Sequence, residues 1–193
     1  MAPTAEAVDA AAPTRLTADD WLRAAFEIMV EDGIGGVKVP RLCERLGVTK
    51  GSFYWHFADV DAFLGALAER WAAESERTPG PLTVEDPADA ESVLVSAMEQ
   101  FADRRVRNLT RAMREWAQTD ARARAALRTA DEALFRRITD AFASLGFSDL
   151  EAEVRGKILY YSGVGFAHVG PLGDRPAPME QLGATWDILA RRP

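Results

Sequence analysis

Residues 38–57 read KVPRLCERLGVTKGSFYWHF, two short helical patterns separated by a tight turn. In the first, Leu42, Cys43 and Leu46 recur at helical spacing, and Gly47 stands where a helix ends in the left-handed conformation that glycine takes readily. Val48 supplies an apolar plug, and Thr49 is a hydroxyl N-cap for a second helix carrying Lys50, Gly51, Ser52, Tyr54, Trp55 and His56. Phe53 and Phe57, four residues apart, share one face and are expected in the core, which leaves Lys50, Ser52, Tyr54 and Trp55 on the others. A helix-turn-helix needs this combination, because its second helix presents its first residues to base edges while the first helix crosses the backbone. The N-terminus of that helix adds N–H groups and a positive dipole for phosphate. Gly51 has no side chain to hold a duplex away.

The segment GVTKGSFYWHF, residues 47–57, resembles the recognition-helix signature of the TetR family of bacterial transcriptional regulators. That signature combines a Gly-Val turn, a small capping residue, Lys-Gly and Tyr-x-His-Phe. The likeness continues upstream through an amphipathic helix ending in Asp32 and Gly33, and downstream through Asp59, Phe63 and Leu67. Two positions depart from it. Lys38 stands where many members have Thr at the start of the second helix, and Val60 where a phosphate-binding Lys often opens the fourth.

The resemblance implies an all-α fold, with an N-terminal three-helix helix-turn-helix DNA-binding domain and a C-terminal helical domain for ligand binding and dimerisation. It further implies a homodimeric transcriptional repressor that meets a pseudo-palindromic operator in double-stranded DNA and leaves it when a small molecule binds. Lys38, Thr49, Lys50, Gly51, Ser52, Tyr54, Trp55 and His56 are the expected DNA contacts. Phe53 and Phe57 are expected as core. His56 is equally explained as a hydrogen-bond donor at the helix end, and Trp55 either stacks on the sugar-phosphate edge or touches a thymine methyl.

The chain has 193 residues, 48% apolar and 27% charged, enough for one large or two small domains with a real core. No apolar run approaches a membrane span, and MAPTAEAVDAAAPT lacks a basic and an apolar signal region, so a cytoplasmic location is expected. Cys43 is the single cysteine, which excludes an intramolecular disulfide and a cysteine-based zinc cluster. The net charge of −7 argues against a protein that coats nucleic acid non-specifically. Seven Lys and Arg against twelve Asp and Glu leave even residues 1–75 at −5, whereas residues 38–56 hold Lys38, Arg41, Arg45 and Lys50 against Glu44, a local +3. A small patch of this kind suits a site-specific binder.

Residues 1–14 read as a disordered arm, 15–75 as the DNA-binding domain and 76–193 as the second domain, with the junction in TPGPLTVEDP, residues 78–87. A first helix begins near Thr17. A fourth is capped by Asp59 and turns Phe63, Ala66, Leu67 and Trp71 inward, running to about Ser75. Beyond the junction, helices are expected over 88–107, 109–118 and 121–145, then from Ser148 or Asp149 to about Gly170 with Val154, Ile158, Tyr161 and Phe166, and around Met179 to Leu189. No sustained period-two alternation marks a strand.

Little points to an enzyme. The histidines are His56 and His168, and neither metal-ligand spacing nor a nucleophile elbow is present, so no metal or cofactor is implied. Gly163, Gly165 and Gly170 lack the preceding strand of a phosphate loop and are better read as small residues that admit a second helix, such as one from another subunit. Ten arginines between Arg104 and Arg137 alternate with carboxylates, as on a solvated face. Met98, Phe101, Met113, Trp116, Tyr160, Tyr161, Phe166 and His168 are each explained as core, yet as a set they could line an adaptable pocket for an apolar or amphipathic effector. The competing reading is a helical protein-interaction module without DNA sequence preference.

Overall fold

The computed structural model describes residues 16–77, 87–170 and 179–191, all of it helix, turn and short connection. The elements are α1 (Ala18–Asp32), a 3-10 turn (Ile34–Gly36), α2 (Val39–Leu46), α3 (Lys50–His56), α4 (Val60–Arg77), α5 (Pro87–Ala102), α6 (Arg104–Thr119), α7 (Ala121–Ser144), α8 (Asp149–Val169) and α9 (Met179–Ala190). The expected arm at 1–14 and nearly all of the expected junction lie outside the described residues. Among those described, no helix is long and apolar enough to cross a membrane.

Local chemistry sets the helix ends. Thr17 caps α1 in a reciprocal box: its hydroxyl accepts from Asp20 N–H, and the Asp20 carboxylate accepts from Thr17 N–H at 2.8 Å. Ser148 and Glu151 repeat the device at α8, which decides between the two expected caps. Asp59 accepts from Ala62 N–H at 2.7 Å and starts α4. Pro40 sits in the first turn of α2, where its missing N–H removes no helical bond.

The expected single helix over 88–107 is two. Asp103 closes α5 by donating its N–H to Glu99 O at 2.9 Å and opens α6 by accepting from Val106 N–H at 2.8 Å. The Arg107 guanidinium then reaches back to the Ala102 carbonyl, satisfying an oxygen that the end of α5 leaves over. Three local bonds therefore outweigh an apolar pattern that reads straight through the break.

Two apolar clusters form the interior. One joins Trp21, Ile28, Leu42, Phe53, Phe63 and Leu67 of α1–α4 to Met113 and Trp116 of α6 and Ala123 and Leu127 of α7. The other packs Leu94 and Met98 of α5 against Ile138 and Phe142 of α7 and Leu159 of α8. Because α7 runs through both, α1–α4 rest on the following helices through continuous apolar contact.

The faces of α8 differ from a simple inward apolar stripe. Its buried side is Ala152, Gly156, Leu159, Tyr160, Gly163 and Ala167, while Leu150, Val154, Ile158, Tyr161 and Val169 are exposed. Gly163 does permit close approach, but to Phe101 of the same chain, whose ring occupies the space a Cβ would fill; Gly165 faces open space.

Candidate nucleic-acid interface and interhelical cavity

The turn between α2 and α3 is built as glycine requires. Gly47 adopts φ 67°, ψ 33°, and Val48 N–H donates to Cys43 O at 3.0 Å, closing α2. Thr49 has the extended backbone of an N-cap, but its side chain makes no capping hydrogen bond, contrary to the expected hydroxyl cap. Behind α3, Phe53 is fully buried at the centre of an aromatic cluster. It meets Trp21 and Phe63 edge-on at centroid distances of 5.3 Å, and Phe57 packs on Phe63 at 4.9 Å. Edge-to-face pairs of this kind fix ring orientation as well as burial, so α3 cannot roll without breaking several at once.

The outer side of α3 is correspondingly open. Tyr54 is 55% and Trp55 65% exposed, beside exposed Thr49, Lys50 and Gly51. Lys38, N-cap of α2, is exposed as well. Lys38 and Lys50 make no ion pair among the described residues. Ser52 and His56 are half-buried, and the His56 ring lies 4.8 Å from Trp55 and 6.2 Å from Trp21. Val60 is exposed, an apolar side chain at the start of α4.

The local basic patch is smaller than the sequence count. Arg41 donates to Glu31 at 3.0 Å and pairs with Asp32, and Arg45 donates to the same Glu31 carboxylate. The Arg45 guanidinium holds the Glu31 carboxyl below its ordinary range, and Glu31 in turn raises Arg45. Two of the four cations are thus engaged by the end of α1, and Lys38 and Lys50 carry the remaining charge.

A cavity of about 290 Å³ lies among α4, α5, α6, α7 and α8. Trp71, Phe101, Leu109, Leu134 and Val164 form much of its apolar wall, and Arg114, Asp131 and Tyr160 a polar end. Arg114 grips Asp131 with two bonds of 3.0 and 2.7 Å, and its Nη2 also donates to the Tyr160 hydroxyl at 3.0 Å. Burial opposes the Arg114 charge, but the Asp131 carboxylate outweighs it and the net shift is upward. Burial, reinforced by Asp131, pushes the Tyr160 phenol up to about 12, so it is neutral at physiological pH.

Of the residues expected to line a pocket, Phe101 and Tyr160 meet here. Met98 belongs to the second apolar cluster, and Met113 and Trp116 to the first. Tyr161 is 64% exposed on the far side of α8. Phe166 lies under the Arg107 guanidinium, 4.8 Å away, and His168 is exposed with Nδ1 3.0 Å from Val164 O. Arg114 and Asp131, the best-defined polar pair in the cavity, were not singled out: Arg114 is one of ten arginines, and its partners stand 17 and 46 residues away.

Polar contacts tie the two ends of the molecule together. Arg122, at the start of α7, donates to the Asp61 backbone carbonyl and pairs with the Asp61 carboxylate, both at 2.9 Å, while also bonding Asp120. Arg105 of α6 pairs with Glu27 of α1. Trp71 of α4 both lines the cavity and packs on Phe26 of α1 at 6.2 Å.

Residues 22–67, which span α1 to most of α4, match the family model described as "Bacterial regulatory proteins, tetR family". Over that stretch the chain carries a helix-turn-helix of the TetR-family type. The tetracycline repressor protein class A from transposon 1721 of Escherichia coli is 38% identical over 73 residues, 38% of this chain and 34% of that protein. The chain thus matches about a third of the length of this curated TetR-family relative. A transcriptional regulator from Rhodococcus shares the fold over 91% of this chain and 94% of its own, with a TM-score of 0.67 at 21% identity. FadR from Bacillus subtilis, solved with stearoyl-CoA, shares it over 89% and 97%, with a TM-score of 0.55 at 14% identity. The sequence likeness to TetR-family repressors is concentrated in the helix-turn-helix, while the likeness of fold extends through the second half.

Proposed function

We propose that this chain is a sequence-specific DNA-binding transcriptional repressor that acts as a homodimer in the cytoplasm and is released from its operator by a small molecule. The observation that carries the reading is the outer side of α3: Lys50, Tyr54 and Trp55 exposed on a helix whose inner side is locked by Phe53 and Phe57. Tyr54 and Trp55 touch Phe53 and His56 edge-on, yet more than half of each stays exposed beside Lys50. Lys38, Thr49, Lys50, Gly51, Ser52, Tyr54, Trp55 and His56 are the proposed contacts, with residues 15–75 as the DNA-binding domain and 76–193 as the effector and dimer domain.

The second subunit would cover α8. Leu150, Val154, Ile158, Tyr161 and Val169 lie at helical spacing on its exposed side, and Ile188 of α9 is 69% exposed. An apolar stripe of this length is what an isologous helix-helix seam buries. The described cavity is the proposed effector site. A ligand pressing on Trp71 would act on α4, whose first turn is tied to α7 through Arg122 and Asp61 and adjoins α3. The linkage need supply only ~1–3 kcal/mol to change operator affinity 5- to 150-fold.

Binding of the purified protein to the promoter upstream of its own gene, at defined salt and with competitor DNA, tests the reading. Sequence-specific retention by a dimer is expected; equal affinity for unrelated DNA would favour the interaction-module alternative.

A further inference from the structure

The carboxylates at the end of α1 bear on how the chain discriminates among DNA sequences, taking the DNA-binding reading above as the basis. Lys38, Arg41 and Arg45 stand at positions i, i+3 and i+7 and so share one side of α2, the helix that crosses the phosphate backbone in a helix-turn-helix. Left free, the three would form a basic edge that takes phosphate of any sequence. Of the three, Lys38 alone lacks an ion pair among the described residues. Both arginines donate to the Glu31 carboxylate, Arg41 at 3.0 Å and Arg45 at 2.6 Å, and Arg41 also pairs with Asp32. Room for this arrangement is built into the backbone: a Cβ at Gly36 would meet Asp32 Cβ at 2.9 Å and Arg41 Nη1 at 3.0 Å. Arg45 has no other ion pair among the described residues. Were either guanidinium to turn to phosphate, it would strand a carboxylate beside a polyanion, and like charges brought together oppose binding.

We infer that Glu31 is a specificity-determining residue: with Asp32 as a second anchor for Arg41, it keeps Arg41 and Arg45 off phosphate, so that affinity for DNA of arbitrary sequence stays low and retention depends on the bases that α3 meets.

Binding of the full chain to two duplexes, its own promoter and one of unrelated sequence, is followed by fluorescence anisotropy across a range of KCl concentrations for the parent, Glu31→Gln, Arg45→Ala and the double variant. Glu31→Gln releases Arg45 in each subunit of the dimer, so the slope of log K against log salt on the unrelated duplex should steepen by about 2, and the preference for the promoter should fall. Adding Asp32→Asn releases Arg41 as well and should bring the steepening to about 4. Arg45→Ala alone should leave the slope of the parent unchanged, because the guanidinium it removes is already withheld, whereas in the Glu31→Gln background it should cancel the gain. The cycle is therefore non-additive, while a mere change of net charge would make it additive. Arg45→Ala in the otherwise unaltered chain decides the matter even if a Glu31 variant fails to fold. A slope that falls by about 2 on Arg45→Ala alone, or one unmoved by Glu31→Gln, would overturn the inference. Promoter-selective binding with an additive cycle sinks this inference alone, and a non-additive cycle in a chain that prefers neither duplex sinks the repressor reading while the withholding of the arginines stands. Failure of parent and Glu31→Gln alike to bind either duplex would overturn both.

Discussion

Gly163→Ala tests whether the α5–α8 contact shapes the cavity. The Phe101 ring lies directly over Gly163, and a Cβ built at that position would fall on three of its ring atoms, Cγ, Cδ2 and Cε2. Two effects of opposite sign follow. Alanine in a helix interior is favoured over glycine by ~0.8–1.0 kcal/mol, whereas overpacking a closed contact typically costs ~1–3 kcal/mol. The net expectation is a loss of up to ~2 kcal/mol, which for a chain of this size lowers the melting temperature by up to ~4–8 °C. The effect on the cavity should be larger, because Phe101 lines it and a ring displaced from α8 enters the space a ligand needs. Urea unfolding at matched protein concentration gives the stability, and titration with 2-acetylnaphthalene, a flat and mainly apolar probe, gives the cavity. Adding Phe101→Leu to Gly163→Ala should recover part of the loss, with a coupling of at least ~0.5 kcal/mol between the two sites. A Gly163→Ala protein more stable by ~1 kcal/mol, with ligand binding unchanged, would show that the glycine is incidental and that the packing argument fails.

Further expectations concern the two ends of the molecule. Phe57 is 8% exposed and packs on Phe53 and Phe63, so Phe57→Ala should lower stability by ~3–5 kcal/mol in chemical unfolding, and a fully stable variant would place it outside the core. A Cβ at Gly51 would touch only Thr49 Oγ1 at 3.7 Å, so Gly51→Ala should leave the fold as stable or slightly more stable while weakening operator binding; unchanged affinity would remove the close backbone approach. The Arg122 guanidinium holds the Asp120 carboxyl at about 2, below its ordinary 3.8. A folded-state value below the unfolded one adds stability that is present above about pH 4 and fades as pH falls toward 2. Asp120→Asn can still cap α7 but loses the ion pair, so its deficit relative to the parent should be largest near neutral pH and vanish near pH 2. No deficit at any pH would assign the role of Asp120 to capping alone, which Asn retains.

The helix-turn-helix was legible because its determinants are local. Gly47 and the Phe53–Phe57 pair each act within about one turn, and pattern at that range is written directly in the sequence, although the expected Thr49 hydroxyl cap is not formed. The faces of α3 followed from spacing, and the burial of Phe53 and exposure of Tyr54 agree with it. The fate of Arg41 and Arg45 was not legible, since Glu31 and Asp32 on α1 reach them only after α1 and α2 cross. The same limit hid the cavity: Phe101 and Tyr160 were among the candidates, but the Arg114–Asp131–Tyr160 cluster assembles from three helices with no shared period. The α5–α6 break was written locally, in Asp103 and Arg107, but the apolar spacing across it reads more strongly than a single capping residue. On α8 apolar residues lie on both sides, so periodicity alone cannot tell the side packed within the chain from the exposed one.

Operator affinity of the parent, Lys50→Ala and Tyr54→Ala proteins, followed by fluorescence anisotropy across a range of KCl concentrations, tests the central claim most directly. The account predicts that Lys50→Ala, which removes one phosphate contact from each subunit of the dimer, reduces the slope of log K against log salt by about 2. It also predicts that Tyr54→Ala weakens specific binding while thermal unfolding stays nearly unchanged. Unaltered affinity and slope in both variants would contradict a duplex-facing role for α3.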